Sequence, residues 1–167
     1  MVGDMRPEEQ QFIERWSAIL AQEGLPPVAG RLWAWLLVCD PPEQTVDDIA
    51  DAIGASRGAI SGAVRWLEPS GLILRTKRRG DRREYWRTSP DAMIHSLEAK
   101  ERQTRPSLQA LDAVIAALAD RPEESLGRLR EARSLYVMLL DTFPALVEQF
   151  RTNRTARATV GVPAGKD

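Results

Sequence analysis

The chain has 167 residues, of which 43% are hydrophobic and 28% charged, and its net charge is -1. This length suffices for one domain with some additional helices, and the longest apolar runs, at 32–39 and 113–119, are far shorter than the ~20 residues that cross a bilayer. The amino terminus has no apolar stretch behind a basic start, so we expect no secretory signal and no membrane contact, and a soluble cytoplasmic protein.

Two helices are predicted in the first forty residues. The first runs from Glu8 to Gln22 and is stopped by Gly24 and the prolines that follow it. Its apolar stripe consists of Phe12, Trp16, Ile19 and Leu20. The second runs from about Pro27 to Cys39 and is apolar on nearly all sides, which predicts a helix buried in the core.

The next two helices have the pattern of a helix-turn-helix. Thr45 is a good N-cap, Asp47 and Asp48 favour the positive helix start, and Gly54 ends the helix. Ser56 caps a second helix, SRGAISGAVRWL, which carries arginines and small polar residues. Its predicted apolar face consists of Ile60, Val64 and Leu67.

A basic hairpin is predicted directly after this second helix. The runs LILRT and REYWRT read as strands, and Gly80-Asp81 between them can supply a tight turn. From Arg75 to Arg87 there are seven basic and two acidic residues, a net charge of +5, whereas the rest of the chain sums to -6. A hairpin in this position is a wing, and its basic loop is suited to nucleic-acid phosphates.

The remainder of the chain is predicted to be helical, starting at Ser89-Pro90-Asp91. We expect Pro106 to kink or restart the first long helix, Arg121-Pro122 to end it, and Pro144 to divide the second. A coiled-coil-like seam with 3-4-3 spacing is formed by Leu108, Leu111, Ile115 and Leu118. From about Arg151 the chain is polar and is expected to be disordered.

The order of these elements resembles the MarR-type winged-helix transcriptional regulators, and more closely their GbsR-like branch. The residues that carry the resemblance are Ser56-Arg57-Gly58-Ala59-Ile60-Ser61, Leu67 with Gly71-Leu72-Ile73, and Gly80-Asp81-Arg82-Arg83-Glu84-Tyr85. The resemblance covers roughly residues 8 to 150. The chain departs from many members after the wing, where RTSPDA replaces an L-T-x-x-G stretch near the usual effector pocket.

The resemblance implies a dimer joined by its terminal helices, a palindromic double-stranded DNA operator, and release by a small-molecule effector. Repression is the family default, and Arg83 matches the wing arginine of a D-x-R pair in which Asp81 orients the wing. The fold is therefore expected to be mostly α with a small β-hairpin wing: a winged helix-turn-helix domain plus long terminal dimerisation helices. The expected regions are 1–24, an N-terminal helix of the dimerisation region; 25–89, the DNA-binding domain; 90–152, the helical dimerisation region; and 153–167, a disordered tail.

The recognition helix must enter a groove about 12 Å wide, which favours small side chains and side chains that bond base edges. Each glycine inside a helix costs roughly 1 kcal/mol relative to alanine, and either close approach to DNA or packing against the preceding helix can offset that cost. The predicted DNA-binding residues are Ser56, Arg57, Gly58, Ser61, Gly62, Arg65, Lys77, Arg78, Arg79, Arg82 and Arg83. The predicted dimerisation residues are Phe12, Trp16, Leu108, Leu111, Ile115, Leu118, Leu129 and Tyr136, although the leucine seam could also be intramolecular core.

Other residues have a functional and a structural interpretation. The five tryptophans invite an aromatic cage for a quaternary ammonium effector, but core or dimer packing of Trp16, Trp33 and Trp66 is favoured. Cys39 could sense peroxide, but the adjacent Asp40 should raise the thiol pKa, which favours an inert thiol. His95 is expected on a helix surface.

Three classes of function remain to be compared. With one His and one Cys, we find no nucleophile–base pair and no common zinc site, so an enzyme, a metal centre and a cofactor are not expected. A winged-helix protein-interaction module without specific DNA binding is the alternative, and the basic wing argues against it. We predict a sequence-specific, dimeric DNA-binding regulator.

Overall fold

The computed structural model describes residues 5–160, and the side chains of residues 5–156. Its elements in chain order are α1 (Pro7–Gln22), α2 (Pro27–Val38), α3 (Val46–Ile53), α4 (Arg57–Leu67), β1 (Ile73–Thr76), β2 (Tyr85–Thr88), α5 (Ala92–Ala117) and α6 (Glu123–Val160). The chain divides into two compact units, one up to His95 and one from Ser96. Among the described residues, no helix combines the length and hydropathy that a membrane span requires.

Helix α2 forms the centre of the first unit, as its all-round apolar sequence predicts. Residues Leu32 to Leu36 are all buried. Helix α1 lies close against it, because a Cβ at Gly30 would come within 3.2 Å of the backbone of Ser17. The predicted stripe of α1 is partly wrong: Ile19 is 49% exposed, whereas Ile13 is buried. The close approach at Gly30 turns the Ser17 side of α1 inward.

The helix-turn-helix has the local chemistry that its sequence predicts. The Thr45 hydroxyl accepts from the backbone N–H of Asp48 at 3.2 Å, and the Asp48 carboxylate accepts from the N–H of Thr45 at 2.9 Å. Gly54 ends α3 with a left-handed φ of +62°. The Ser56 hydroxyl then caps α4 by accepting from the N–H of Ala59 at 3.2 Å. The predicted inner face of α4 is confirmed, since Ile60, Val64 and Leu67 are buried.

The two strands form an antiparallel hairpin in which Ile73 pairs with Thr88 and Thr76 with Tyr85. The turn differs from the predicted Gly80-Asp81 pair. The carbonyl of Arg78 accepts from the N–H of Asp81 at 3.1 Å, which places Gly80, with a φ of +81°, in the central part of the turn. Asp81 is the last residue of this turn, and its carboxylate accepts from the backbone N–H of Arg83 at 2.9 Å.

The second unit consists of long helices that are more continuous than the sequence predicts. Helix α5 begins at Ala92 and contains Pro106 without interruption, and α6 likewise contains Pro144. Both prolines are exposed, so water can replace the hydrogen bond that each removes. In the structure α6 continues through residues 153–160, part of the region expected to be a tail, and extending a helix costs less than nucleating one. Residues 161–167 lie outside the described residues.

Candidate nucleic-acid interface

All eleven predicted DNA-binding residues lie in the first unit, and all are exposed. Six of them are on α4 or its cap, opposite the buried face, and five are in the loop of residues 77–84 that joins the strands. Helix α4 therefore presents a solvent face of arginine, serine and glycine. The wing presents a loop of basic side chains.

The two glycines of α4 have open space where a side chain would project. A Cβ at Gly58 would have only the Ser56 hydroxyl oxygen within 4.0 Å, and a Cβ at Gly62 would meet nothing within 4 Å in the described part of the chain. Packing against α3 therefore does not explain either glycine. Their cost in helix stability, roughly 1 kcal/mol each, has no compensation within the free protein's described residues.

The arginines of α4 differ in their surroundings. The Nε atom of Arg57 lies 2.6 Å from the Oδ1 atom of Asp47, on the first turn of α3. Arg65, about two turns further along α4, is exposed and forms no ion pair with any residue that the structure describes. Sequence reasoning assigned Asp47 only to the helix start, and missed its contact with Arg57.

Asp81 is the centre of a hydrogen-bond cluster in the wing loop. Its carboxylate accepts from the Arg83 guanidinium at 2.7 and 3.0 Å and from the Tyr85 hydroxyl at 2.6 Å. The Arg83 guanidinium, followed by the Tyr85 hydroxyl, holds the pKa of Asp81 far below its ordinary value, and Asp81 in turn raises the pKa of Tyr85. The carboxylate therefore stays charged and rigidly placed at neutral pH.

Arg78 is held between a carboxylate and an aromatic ring. Its Nε atom lies 3.2 Å from Oε2 of Glu43, and its guanidinium carbon lies 4.2 Å from the centre of the Tyr85 ring. Glu43 is 35 residues away in sequence, in the loop before α3, so nothing in its local sequence marks it as a partner. Backbone hydrogen bonds of 2.9 and 2.7 Å between Gln44 and Trp86 join the same loop to β2.

Six of the seven basic residues between Arg75 and Arg87 fall into two groups. The paired group consists of Arg75, 2.7 Å from Glu84, together with Arg78 and Arg83. The second group consists of Lys77, Arg79 and Arg82, which are exposed and have no ion-pair partner among the described residues. Apart from the D-x-R pair of Asp81 and Arg83, this division depends on contacts that the run of charges does not reveal.

Comparison with known proteins connects this site to a family. The model of the MarR family matches residues 37–85, and that of the MmpR5-like MarR family transcriptional regulators matches residues 91–153. The HTH-type transcriptional regulator MmpR5 of Mycobacterium tuberculosis (strain ATCC 25618 / H37Rv) is 37% identical over 129 residues, which are 77% of this chain and 78% of that protein. The chain belongs to the MarR family of transcriptional regulators. The GbsR-like branch is not confirmed.

A solved structure supports the fold of this MarR-family chain. The crystal structure of a transcriptional regulator superposes with a TM-score of 0.68 at 33% identity, covering 87% of this chain and 99% of the other. The predicted fold class, a mostly helical winged helix-turn-helix protein, is confirmed. The prediction of a DNA-binding transcription regulator rather than an enzyme is also confirmed by the family.

The MarR-family chain exposes apolar side chains on its second unit. The predicted seam residues Leu108, Leu111, Ile115 and Leu118 are half-buried, as are Leu129 and Tyr136, and in the first unit Phe12 and Trp16. Sequence reasoning missed the more exposed residues of α6, which are Leu135, Met138, Leu139, Leu146 and Phe150. They follow one another at helical spacings, a pattern that could have revealed them.

The structure also locates the cysteine, two tryptophans and the histidine for which the sequence offered other roles. Burial raises the pKa of the Cys39 thiol to about 12, and Asp40 adds to that effect, which supports the inert interpretation. Trp33 is buried, but Trp66 is 43% exposed and is not part of the core. His95 is half-buried rather than on the surface, since its Nδ1 atom lies 2.8 Å from the carbonyl oxygen of Gly71.

Proposed function

We propose that this MarR-family protein is a homodimeric repressor in the cytoplasm that binds a palindromic operator in double-stranded DNA and is released by a small-molecule effector. The observation that carries DNA binding is the solvent face of α4. It combines exposed arginines with Gly58 and Gly62, whose side-chain positions are open. A helix with such a face can approach base edges in the major groove closely.

Within this proposal, α4 reads bases and the wing contacts phosphates. Arg57, Ser61 and Arg65 are the base-reading candidates, since arginine bonds guanine and serine bonds several bases. The unpaired wing cations Lys77, Arg79 and Arg82 take the phosphate contacts, which position the protein without reading sequence. The Asp81 cluster holds the far side of the wing loop, up to Tyr85, in one conformation beside these cations.

Dimerisation is supported by the apolar side chains that the second unit leaves in contact with solvent. Met138 is 58% exposed and Leu135 is 50% exposed, both on α6. Helix α6 meets α5 through the ion pair of Arg133 with Asp112, yet these apolar side chains of α6 stay exposed within the chain. A second copy would cover them and would bring a second α4 to a half-site about 34 Å away on the DNA. Release by an effector, and repression rather than activation, are carried over from the family.

The test is fluorescence anisotropy of the full-length protein with DNA from immediately upstream of its own gene and with a scrambled duplex. We expect at least ~1000-fold preference for the upstream duplex and a steep fall of affinity with salt. If that DNA holds no operator, selection from a randomised duplex pool supplies one. Failure of the pool to yield any preferred sequence, with weak and salt-independent binding, would instead support a protein-interaction module.

A further inference from the structure

The two acidic residues of the first turn of α3 have different partners. Asp48 completes the cap of its own helix, with its carboxylate 2.9 Å from the N–H and 2.7 Å from the hydroxyl of Thr45. Asp47 takes no part in that cap. Its Oδ1 atom instead lies 2.6 Å from Nε of Arg57, the first residue of α4. The ion pair thus joins the first turns of the two helices of the helix-turn-helix.

The ion pair places Asp47 beside the Nε edge of the Arg57 guanidinium. Asp47 is next to Nε, whereas Nη1 and Nη2 have no hydrogen-bond partner among the described residues. The Arg57 side chain is 75% exposed and that of Asp47 is 56% exposed, so the pair lies on the surface of the unit. An arginine whose ion-pair partner lies beside Nε still offers its two terminal nitrogens as a parallel fork, the geometry that matches O6 and N7 of guanine.

The charge of the pair is also informative. Arg57 beside Asp47 carries little net charge, so the pair is a poor ligand for a phosphate, which selects mainly for positive charge. A carboxylate near the DNA surface has an electrostatic cost. Orienting a group that reads sequence would offset that cost, in addition to the favourable position of Asp47 at the start of α3. The unpaired Arg65 has no such constraint, so it can contact either a phosphate or a base.

We propose that Asp47 is a positioning residue for base recognition: it holds Arg57 at Nε so that the terminal nitrogens bind a guanine end-on. This inference rests on the proposed DNA-binding function and assigns to one arginine of α4 a specific base and orientation. Asp47 itself does not touch the DNA. Its contribution is to sequence preference rather than to overall affinity.

The test is selection of full-length wild type, Asp47→Asn and Arg57→Ala from a randomised duplex pool, followed by anisotropy on the selected duplex at several salt concentrations. Wild type should prefer guanine at one position of each half-site. Asp47→Asn should reduce that preference on the order of 10-fold and leave other positions unchanged. It should also steepen the slope of log affinity against log salt concentration by up to about one. The reason is that the released Arg57 can then neutralise a phosphate.

Asp51→Asn is the matched control, because it removes the same charge from α3 at an exposed residue without an ion pair in the described chain. It should keep the guanine preference. The effect of Asp47→Asn should disappear when Arg57 is already alanine. If Asp47→Asn and Asp51→Asn raise affinity for all duplexes equally and keep the preference, Asp47 is only a repulsive charge and the inference is wrong. Absence of any preferred sequence for wild type would instead contradict the proposed function.

Discussion

Gly71 and His95 lie in direct contact at the end of the first unit. The His95 Nδ1 atom is 2.8 Å from the Gly71 carbonyl oxygen, and a Cβ at Gly71 would come within 2.3 Å of the same nitrogen. Gly71 also has a φ of +74°, in the left-handed region. Two independent constraints, one of backbone conformation and one of space, therefore require glycine between α4 and β1.

Gly71→Ala should lower the free energy of unfolding by about 2–5 kcal/mol. Roughly 1–2 kcal/mol comes from the left-handed backbone, and about 1–3 kcal/mol from the contact with His95. Gly54→Ala is the control, since Gly54 has a φ of +62° but no atom of the described chain within 4 Å of its Cβ position. Urea unfolding measures both. A loss at Gly71 no larger than that at Gly54 would show that His95 moves aside freely.

Gly62→Ala should stabilise the protein and weaken DNA binding. Alanine is the better helix former by roughly 1 kcal/mol, and no described atom opposes its methyl group. Against DNA the same methyl group should cost about tenfold or more in affinity if the helix approaches as closely as we propose. Gly127→Ala on α6, where the Cβ position is also open among the described residues, should give only the stabilisation. Unchanged affinity for Gly62→Ala would mean that DNA does not approach this residue.

Arg79→Ala should weaken binding to specific and scrambled duplexes alike and reduce the salt slope by about one, since it removes one phosphate contact. Arg102→Ala is a suitable control, because Arg102 is an exposed α5 residue that also lacks an ion pair within the described chain. Anisotropy titrations across a salt series measure both slopes. An equal slope for wild type and Arg79→Ala would remove Arg79 from the phosphate contacts.

The Asp81 cluster should make stability depend on pH in a defined direction. Because the pKa of folded Asp81 is lowered, its contribution is complete above the unfolded value of about 3.9 and is lost as pH falls through the folded value. The difference in unfolding free energy between wild type and Asp81→Asn should be constant from about pH 5.5 to 8 and should shrink below about pH 4. Chemical unfolding of both proteins across this range is the measurement. A difference that changes between pH 6 and 8 would point to another titrating group.

Leu135→Asp should convert the dimer to a folded monomer, because it places a charge on an apolar face that we propose a second copy covers. Sedimentation equilibrium gives the mass, and circular dichroism verifies that the helices remain. Thr152→Glu adds a charge at an exposed position of the same helix, on a different face from Leu146 and Phe150, and should leave the dimer intact. A wild-type protein that sediments as a monomer at micromolar concentration would contradict the dimer itself.

The helix-turn-helix and its inner face were determined by the sequence. Thr45, Gly54 and Ser56 act through hydrogen bonds and backbone angles within a few residues, so their roles can be read locally. The apolar spacing of Ile60, Val64 and Leu67 likewise specifies which side of α4 is buried. The basic run of the wing was equally visible, since it needs only a count of charges.

Apart from the D-x-R pair of Asp81 and Arg83, only the tertiary structure decided which charges are paired. Glu43 reaches Arg78 from 35 residues away, and Asp47 reaches Arg57 from the preceding helix. The continuity of α5 and α6 through Pro106 and Pro144 also depended on the solvent exposure of each proline. Local rules describe hydrogen bonds and periodicity within one element. Contacts between elements depend on how the chain folds back on itself, and no short stretch of sequence contains that information.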